Sequence, residues 1–179
     1  MSLPPLFPCN IPFPQRLRSR IDWWESHAPP EIVRLIWEGV EWNGDVPQAL
    51  PIFPCHRQEA DVAACQIVLQ DYLEGGAVTI VGSLQQALPS TRFLVPWTVL
   101  TKWEGGKAKH RLISDCQILN SFLHPPHFKL DHWGQIFPFV RKGMWAVKVD
   151  LRHAYFHLPL WDSMNPFIRF NVGDTVFQS

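Results

Sequence analysis

The sequence predicts an α+β fold in which helices come first along the chain and antiparallel β-hairpins follow. Three stretches before residue 75 repeat apolar side chains at intervals of three and four residues, which is the spacing of one helix face. After residue 92 the pattern changes to β-prone runs that are joined by glycine-containing turns. With 179 residues, the chain is long enough to bury one core of its own, or to be a piece of a larger protein.

The predicted helices are bounded by recognisable start and stop signals. The first covers residues 15–25 and the second starts at Pro30, because proline suits the first turn of a helix. Gly39 ends the second helix, and the third covers residues 58–73 before a glycine pair that begins at Gly75. Everything up to this point is typical of a scaffold.

Three arginines lie on one side of the first helix: Arg16, Arg18 and Arg20. They either contact phosphate or simply face water. The first 21 residues contain no acid, as in mitochondrial presequences, but five prolines among them prevent an amphipathic helix over most of that length. Targeting is therefore the minor interpretation of this segment.

The second half of the chain is predicted to consist mainly of strands. The expected elements are a short strand at 77–81, a hairpin of 93–103 and 108–115, a helix from Asp131 toward residue 141, a strand at 145–150, and a hairpin of 167–170 and 175–178. The first hairpin is joined by the four residues 104–107, which are centred on two glycines.

The register of the first hairpin has a consequence for charge. Pairing Trp103 with Ala108 places Lys102 opposite Lys109 and leaves Arg111 on the same face, because side chains alternate along a strand. Like charges opposed across a hairpin are mildly unfavourable, by up to about 1 kcal/mol. Either an anion binds to this face, or the three cations point into water.

The predicted strand at 145–150 ends in a carboxylate, Asp150, and an aromatic ring follows at Tyr155. A carboxylate at the end of a buried strand can hold a metal ion, and an acid beside a ring is typical of a nucleotide pocket. The alternative is ordinary structure, because an apolar strand that ends in Asp is often only followed by a helix cap.

The charge of the chain is balanced, with sixteen Lys and Arg residues against sixteen Asp and Glu residues. A neutral protein does not attract nucleic acid through its overall charge, so any phosphate binding has to be local. No apolar run approaches the roughly 18 residues of a membrane-spanning helix. We therefore expect an intracellular protein without a membrane span, in the cytoplasm, the nucleus or an organelle.

The four cysteines, Cys9, Cys55, Cys65 and Cys116, show no C-x-x-C spacing. Cys55, His56 and Cys65 can be considered as zinc ligands, but their spacing does not match the familiar zinc knuckles. Scattered reduced thiols are the expectation.

Two blocks of sequence, taken in this order, resemble reverse transcriptases. Residues 111–120, RLISDCQILN, resemble the R-x-x-x-D-x-R-x-L-N block of that family, and residues 149–160, VDLRHAYFHLPL, resemble its first catalytic block, D-L-x-x-A-Y-F. Residues 127–130 and 168–170 are most similar to the DIRS-like, tyrosine-recombinase group of retrotransposons and related long-terminal-repeat elements. The resemblance covers about residues 60–179.

The resemblance implies a truncated right-hand polymerase fold. Residues 1–56 would be a proline-rich and helical N-terminal extension, residues 57–143 a fingers-like subdomain, and residues 144–179 a partial palm that stops before the Y-x-D-D motif. In the family, that motif carries the other metal-binding aspartates.

The resemblance also implies roles for single residues. Asp150 matches the first aspartate of a site for two magnesium ions. Tyr155 matches the steric gate that excludes a ribose 2′-hydroxyl, and the backbone of His153 and Ala154 would line the same pocket. The remaining matches are fingers residues that grip the incoming triphosphate, Lys102 and Arg111.

The chain departs from the family at two points. Gln117 stands where the family usually has arginine. Asp150 has no second aspartate motif beside it in the sequence, and Asp162 and Asp174 lie in no matching context. One carboxylate cannot hold two magnesium ions, so this chain alone is expected to hold none and to be unable to polymerise DNA.

Three interpretations follow. The chain is either a fragment of a reverse transcriptase, or a domesticated, non-catalytic subunit that serves a larger ribonucleoprotein or protein assembly, or an unrelated α+β domain. The expected partners are RNA or an RNA/DNA hybrid, bound through Lys102, Lys109 and Arg111, and other protein chains that cover the edge of the partial palm.

Overall fold

Short helices form most of the regular structure before residue 75. In the computed structural model, which describes residues 11–48, 50–127, 129, 132–151 and 153–179, the first three are α1 (Phe13–Arg16), α2 (Ile21–His27) and α3 (Pro30–Glu38). The predicted first helix is thus divided, with a 3-10 turn at Arg18–Arg20 between α1 and α2. The hydroxyl of Ser19 donates to the carbonyl of Arg16 at 2.8 Å, a local bond that competes with the helical ladder.

The two later predicted helices are confirmed with small shifts at their ends. Helix α3 ends at Gly39, whose φ of 94° favours glycine, and a Cβ there would lie 2.6 Å from the carbonyl oxygen of Pro159. Helix α4 (Glu59–Glu74) is the longest element and buries Cys65 and Leu69.

Two antiparallel sheets make up the second half, as the α+β prediction requires. Strands β2 (Trp97–Glu104) and β3 (Lys107–Ser114) form a hairpin, and β1 (Thr79–Ser83), β4 (Arg169–Val172) and β5 (Thr175–Gln178) form a sheet in the order β1-β5-β4. Helices α5 (Leu84–Ala87), α6 (Gln117–Asn120) and α7 (Trp133–Ile136) are single turns between them. Four further 3-10 turns complete the described elements: Leu88–Ser90, Phe137–Phe139, Ala154–His157 and Asp162–Phe167.

The β2–β3 hairpin has the predicted register and a tighter turn than predicted. Trp103 pairs with Ala108, and Glu104 also pairs with Lys107, so only two residues connect the strands. Gly105 and Gly106 have φ values of 59° and 77°, which is the left-handed geometry of a type I′ turn. The twist of this turn matches that of the strands, so the hairpin is regular up to its end.

The main core lies where α4, the hairpin and the three-stranded sheet meet. It contains seven buried side chains: Cys65, Leu69, Val78, Trp97, Phe170, Val172 and Phe177. Because β1 pairs with β5 and Trp97 packs in the same cluster as Phe170, residues on both sides of position 144 share one core. The subdomain boundaries that the resemblance implies remain predictions.

The strand predicted at 145–150 is wrong. These residues have no regular structure, and Trp145, Val147 and Val149 are 97%, 86% and 76% exposed. A lone strand leaves its backbone groups unpaired and is not stable, and no described strand pairs with this segment. The helix predicted from Asp131 is reduced to α7, while Asp131 itself lies outside the described residues.

Two other predictions concern the cysteines and membranes. Cys55, Cys65 and Cys116 are free thiols, as expected, whereas Cys9 lies outside the described residues. Within the described part of the chain, none of the helices combines the length and apolarity that crossing a bilayer requires.

Candidate functional site

The cationic face of the β2–β3 hairpin forms as predicted. Lys102 pairs with Lys109, and Arg111 lies two residues further along the same face, so all three side chains are exposed on one side. The Lys109 ammonium lies 3.6 Å from the Glu104 carboxylate. That ion pair is well exposed and contributes less than about 1 kcal/mol, so it leaves the face cationic.

The opposite face of the hairpin explains why the cations point outward. Val99 and Leu112 pack against the main core beside the indole of Trp97. Further along, the Thr101 hydroxyl and the Nδ1 atom of His110 are 2.9 Å apart. With one face fixed against α4 and the sheet, alternation along each strand leaves the cations outside.

A cavity of about 680 Å³ lies between α4, β3 and the turn at residue 153. Five consecutive residues of β3, 108–112, line it from the hairpin, Asp71 lines it from α4, and His153 closes its third side. Because Leu112 faces the core and Arg111 faces the other way, the cavity runs along β3, and Lys109 and Arg111 border it beside the cationic face. The cavity therefore joins the first resembling block, 111–120, to the second, 149–160. Lys102 lies on the same hairpin face but does not line this cavity.

Ala154 and Tyr155 line a different cavity of about 540 Å³. Tyr155 is 93% exposed, so its ring lies at the rim. Asp162 and Asn165 line the same cavity, and the Asn165 amide donates to the Asp162 carboxylate at 3.4 Å. The predicted site is thus divided between two cavities, and Asp162, which the sequence motifs had excluded, is the carboxylate that shares a cavity with Tyr155.

Asp150 is exposed, lies in the irregular segment 145–151 and lines neither cavity. No group of three His, Cys, Asp or Glu side chains comes together among the described residues. Asp150 and its surroundings do not fit the two-magnesium site that the resemblance implies, because each ion needs several oxygen ligands.

The side-chain contacts of His153 were not predicted from the sequence. Its Nε2 atom lies 2.8 Å from Oδ2 of Asp71, a contact between residues 82 positions apart. Its ring packs at right angles to Tyr72, with centroids 5.4 Å apart, and 5.2 Å from the ring of Phe13. Only the backbone of His153 was expected to matter, and no local pattern indicates a contact over so long a separation.

Phe13 connects the N-terminal extension to the same place. It is 5% exposed, its amide donates to the carbonyl of Gly75 at 2.8 Å, and its ring stacks on His157 with centroids 5.6 Å apart. The extension therefore packs directly on the 3-10 turn Ala154–His157, which carries Tyr155.

The N-terminal arginines have structural partners. Arg18 donates through Nε to the carbonyl of Ile36 at 3.1 Å and through a terminal nitrogen to that of Trp37 at 2.7 Å. These are the unpaired carbonyls at the C-terminus of α3, where a cation is favourable. Arg16 donates to the carbonyl of Ile11 and lies 4.2 Å over the ring of Phe13. Arg16 and Arg18 therefore contact the protein itself, contrary to the interpretation in which they simply face water.

Arg169 lies in the resembling stretch 168–170, and the structure shows it as a buried cation, to which the resemblance had given no role. Its guanidinium donates to the hydroxyls of Ser90 and Thr91, at 2.7 and 3.0 Å, and to the side chain of Gln178 at 3.3 Å. Burial lowers its pKa from the ordinary value. All these acceptors are neutral. Their hydrogen bonds with Arg169 join the turn Leu88–Ser90 and Thr91 to the three-stranded sheet.

The block 111–120 also has a structural part. The amide of Gln117 donates to the Asp115 carboxylate at 3.1 Å, and the amide of Asp115 donates to the carbonyl of Pro96 at 2.7 Å. Asp115 therefore fixes the start of α6, while the side chain of Gln117 remains exposed.

Comparison with protein-family models gives no match to this chain, and comparison with curated proteins gives none either.

Proposed function

We propose that the chain is a reverse-transcriptase-like polypeptide that corresponds to the fingers and the start of the palm of a right-hand polymerase. The observation that carries this proposal is the cavity shared by Arg111 and His153. Each residue belongs to one of the two resembling sequence blocks, which are separated by a long stretch of chain. Both residues line this cavity, which lies beside the cationic face of the hairpin, and this supports a common role in holding a nucleotide.

In this proposal the hairpin supplies the phosphate grip. Arg111 offers a planar guanidinium that can donate two parallel hydrogen bonds to a phosphate, and Lys102 adds a positive charge on the same face. The backbone of His153 lies beside the phosphates, and the following residues, Ala154 and Tyr155, extend the site into the neighbouring cavity, where the ring of Tyr155 rejects a ribose. A local grip of this kind agrees with the zero net charge of the chain.

The proposal includes no polymerase activity for this chain alone. Asp150 is the single carboxylate in the matching motif, and the phosphoryl transfer of the family requires more oxygen ligands than one side chain provides. With a primed RNA template and deoxynucleoside triphosphates, we expect no primer extension by the purified chain. Extension that Asp150→Asn abolishes would contradict this part of the proposal.

Triphosphate binding by the hairpin can be measured directly. A fluorescent deoxynucleoside triphosphate, titrated with the 179-residue chain, is expected to bind, and Arg111→Ala should weaken binding by roughly tenfold or more, because a charge-assisted hydrogen bond is lost. Arg141→Ala is the matched control, since Arg141 is an exposed arginine that is not part of the hairpin strands. Equal affinities for the two variants would exclude the hairpin as the phosphate site.

The second candidate function is a non-catalytic subunit of a larger assembly. It is favoured by an unusually apolar exposed stretch between residues 136 and 155, which is more than isolated surface side chains explain. Its members are Ile136, Phe137, Phe139, Val140, Met144, Trp145, Val147, Val149, Leu151 and Tyr155. A surface of this kind fits a partner protein that covers it.

Contact with RNA can be separated from nucleotide binding by its dependence on salt. If Lys102 and Lys109 contact the phosphates of single-stranded RNA, each Lys→Ala change should reduce the slope of log affinity against log salt by about 0.7. Lys142→Ala is the control, as an exposed lysine outside the hairpin. Unchanged slopes in both hairpin variants would exclude this face as an RNA contact.

A further inference from the structure

The backbone at His153 has an unusual conformation. With φ 53° and ψ 42°, it is the one non-glycine residue in the described part of the chain with a positive φ. Histidine tolerates this left-handed region better than most residues, yet it remains uncommon and persists only where surrounding contacts hold it. We therefore expect the side chain of His153 to make the contacts that hold this backbone conformation.

The imidazole of His153 is fixed from three directions. Its Nε2 atom is 2.8 Å from the Asp71 carboxylate, and since a carboxylate only accepts, Nε2 carries the hydrogen. Tyr72 meets the ring edge to face, at 88°, and Phe13 packs on it at 5.2 Å. His153 is 22% exposed in this environment, against 43% for Asp71.

The position of this contact along the chain matters. His153 is the residue immediately before the 3-10 turn Ala154–His157, and Phe156 of that turn packs on Tyr72 with centroids 4.9 Å apart. Ala154 and Tyr155 are thus held between two anchors on α4. The His153 anchor is the directional one, because a hydrogen bond fixes orientation as well as distance.

We propose that His153 and Asp71 form a positioning clasp that holds the Ala154–His157 turn against α4 and thereby sets the position of Tyr155 relative to Arg111. The clasp itself follows from the contacts, and its effect on nucleotide affinity rests on the proposed function. His153 and Asp71 are positioning residues, and they act through the turn.

The test is a double-mutant cycle on the full chain with two readouts. His153→Asn keeps a residue that tolerates the left-handed conformation but cannot reach Asp71, and Asp71→Ala removes the acceptor. Each change is expected to weaken binding of the fluorescent deoxynucleoside triphosphate roughly five- to tenfold, and the double variant should be no weaker than either one. Asp71→Asn retains an acceptor and should restore most of the affinity.

Amide hydrogen exchange supplies the second readout. Both single variants should exchange faster at residues 153–158 and be unchanged across β4 and β5, which report the integrity of the whole fold. If a variant also loses protection in β4 and β5, it is misfolded, and Asp71→Asn then provides the comparison. Faster exchange limited to the turn supports the clasp.

The outcomes separate the two proposals. Wild-type affinity in the clasp variants, when Arg111→Ala still weakens binding, overturns the effect of the clasp on the nucleotide site and leaves the proposed function in place. If the wild-type chain binds no triphosphate, the proposed function fails and exchange alone decides. In that case, faster exchange at 153–158 retains the clasp as the device that fixes the turn, and unchanged exchange overturns it.

Discussion

Asn171 is fully buried and joins three separate parts of the chain through its side-chain amide and its main-chain carbonyl. Its side chain accepts from the amide of Cys55 at 2.7 Å and donates to the carbonyl of Cys55 at 3.1 Å. Its own carbonyl accepts from the indole of Trp97 at 2.7 Å. A buried polar group is tolerated only when its hydrogen bonds are made, and here each bond also fixes a loop or strand to β4.

Removing this amide should destabilise the protein strongly. Asn171→Ala removes the side-chain partner of three backbone groups, the amide and carbonyl of Cys55 and the carbonyl of Gly173, and each such group costs about 1–3 kcal/mol when it stays buried. We expect the free energy of unfolding in urea to fall by roughly 2–5 kcal/mol. Asn43→Ala, at an exposed asparagine, should change it by less than about 0.5 kcal/mol. Similar losses in both variants would mean that the Asn171 amide is not the connection described.

Cys65 makes stability depend on pH at the alkaline end. Burial raises the pKa of its thiol from 9.0 to about 12, so the folded state favours the neutral form. The resulting stability is complete below pH 9.0 and is lost as the pH rises toward 12. Between about pH 8 and about pH 10, wild-type protein should lose about 1 kcal/mol more than Cys65→Ala. Urea unfolding at the two pH values measures the difference, and equal losses would contradict it.

At the scale of elements, the β2–β3 hairpin was the most predictable part of the candidate site. Alternation and the glycine pair determined its register, and the register determined which cations share a face. Helix α4 was equally clear, because its apolar spacing and its glycine stop agree. Local patterns suffice when both partners of an element lie close together in sequence.

The turn of the hairpin gives a matched pair of substitutions. Both glycines have positive φ, and a Cβ added at either would meet no atom within 4 Å, so only backbone preference differs between variants. Gly105→Asn suits the first position of a type I′ turn and should raise stability by up to about 1 kcal/mol, whereas Gly106→Val should lower it by about 1–2 kcal/mol. Thermal unfolding midpoints measure both, and shifts in the same direction would contradict the type I′ assignment.

The elements that sequence reasoning missed depend on distant partners. The segment 145–150 has the alternation of a strand, but alternation describes one side of a pairing and says nothing about whether a partner strand is present. The His153–Asp71 contact likewise joins positions 82 residues apart. Their roles depend on how the elements pack, which local periodicity does not encode.

At the scale of the whole molecule, one core joins the segments that the resemblance assigns to fingers and palm. Phe170 and Phe177 pack with Cys65 and Trp97, and β5 lies between β1 and β4. Such a shared core predicts cooperative unfolding, in which helix and sheet are lost together.

This predicts that residues 57–143 do not fold as an isolated unit. Expressed alone, they would leave β1 without β5 and expose the core side chains that Phe170 and Phe177 cover. We expect no near-ultraviolet circular dichroism and no cooperative thermal transition from this piece. The full chain should show coincident transitions in tryptophan fluorescence and far-ultraviolet circular dichroism. A cooperative transition in the isolated piece would show two independent units instead.

The exposed segment 145–151 has a consequence for how copies of the chain behave together. Lys148 and Asp150 alternate there with Val147, Val149 and Leu151, so a charged residue separates each of these aliphatic residues from the next. Charges in such positions act as gatekeepers, because they prevent a β-prone run from stacking on the same run of another molecule. Neutralising both, as in Lys148→Ala with Asp150→Ala, would leave the whole segment without a charge. Asp150, which the sequence predicted as a metal ligand, is therefore expected to limit self-association through this segment.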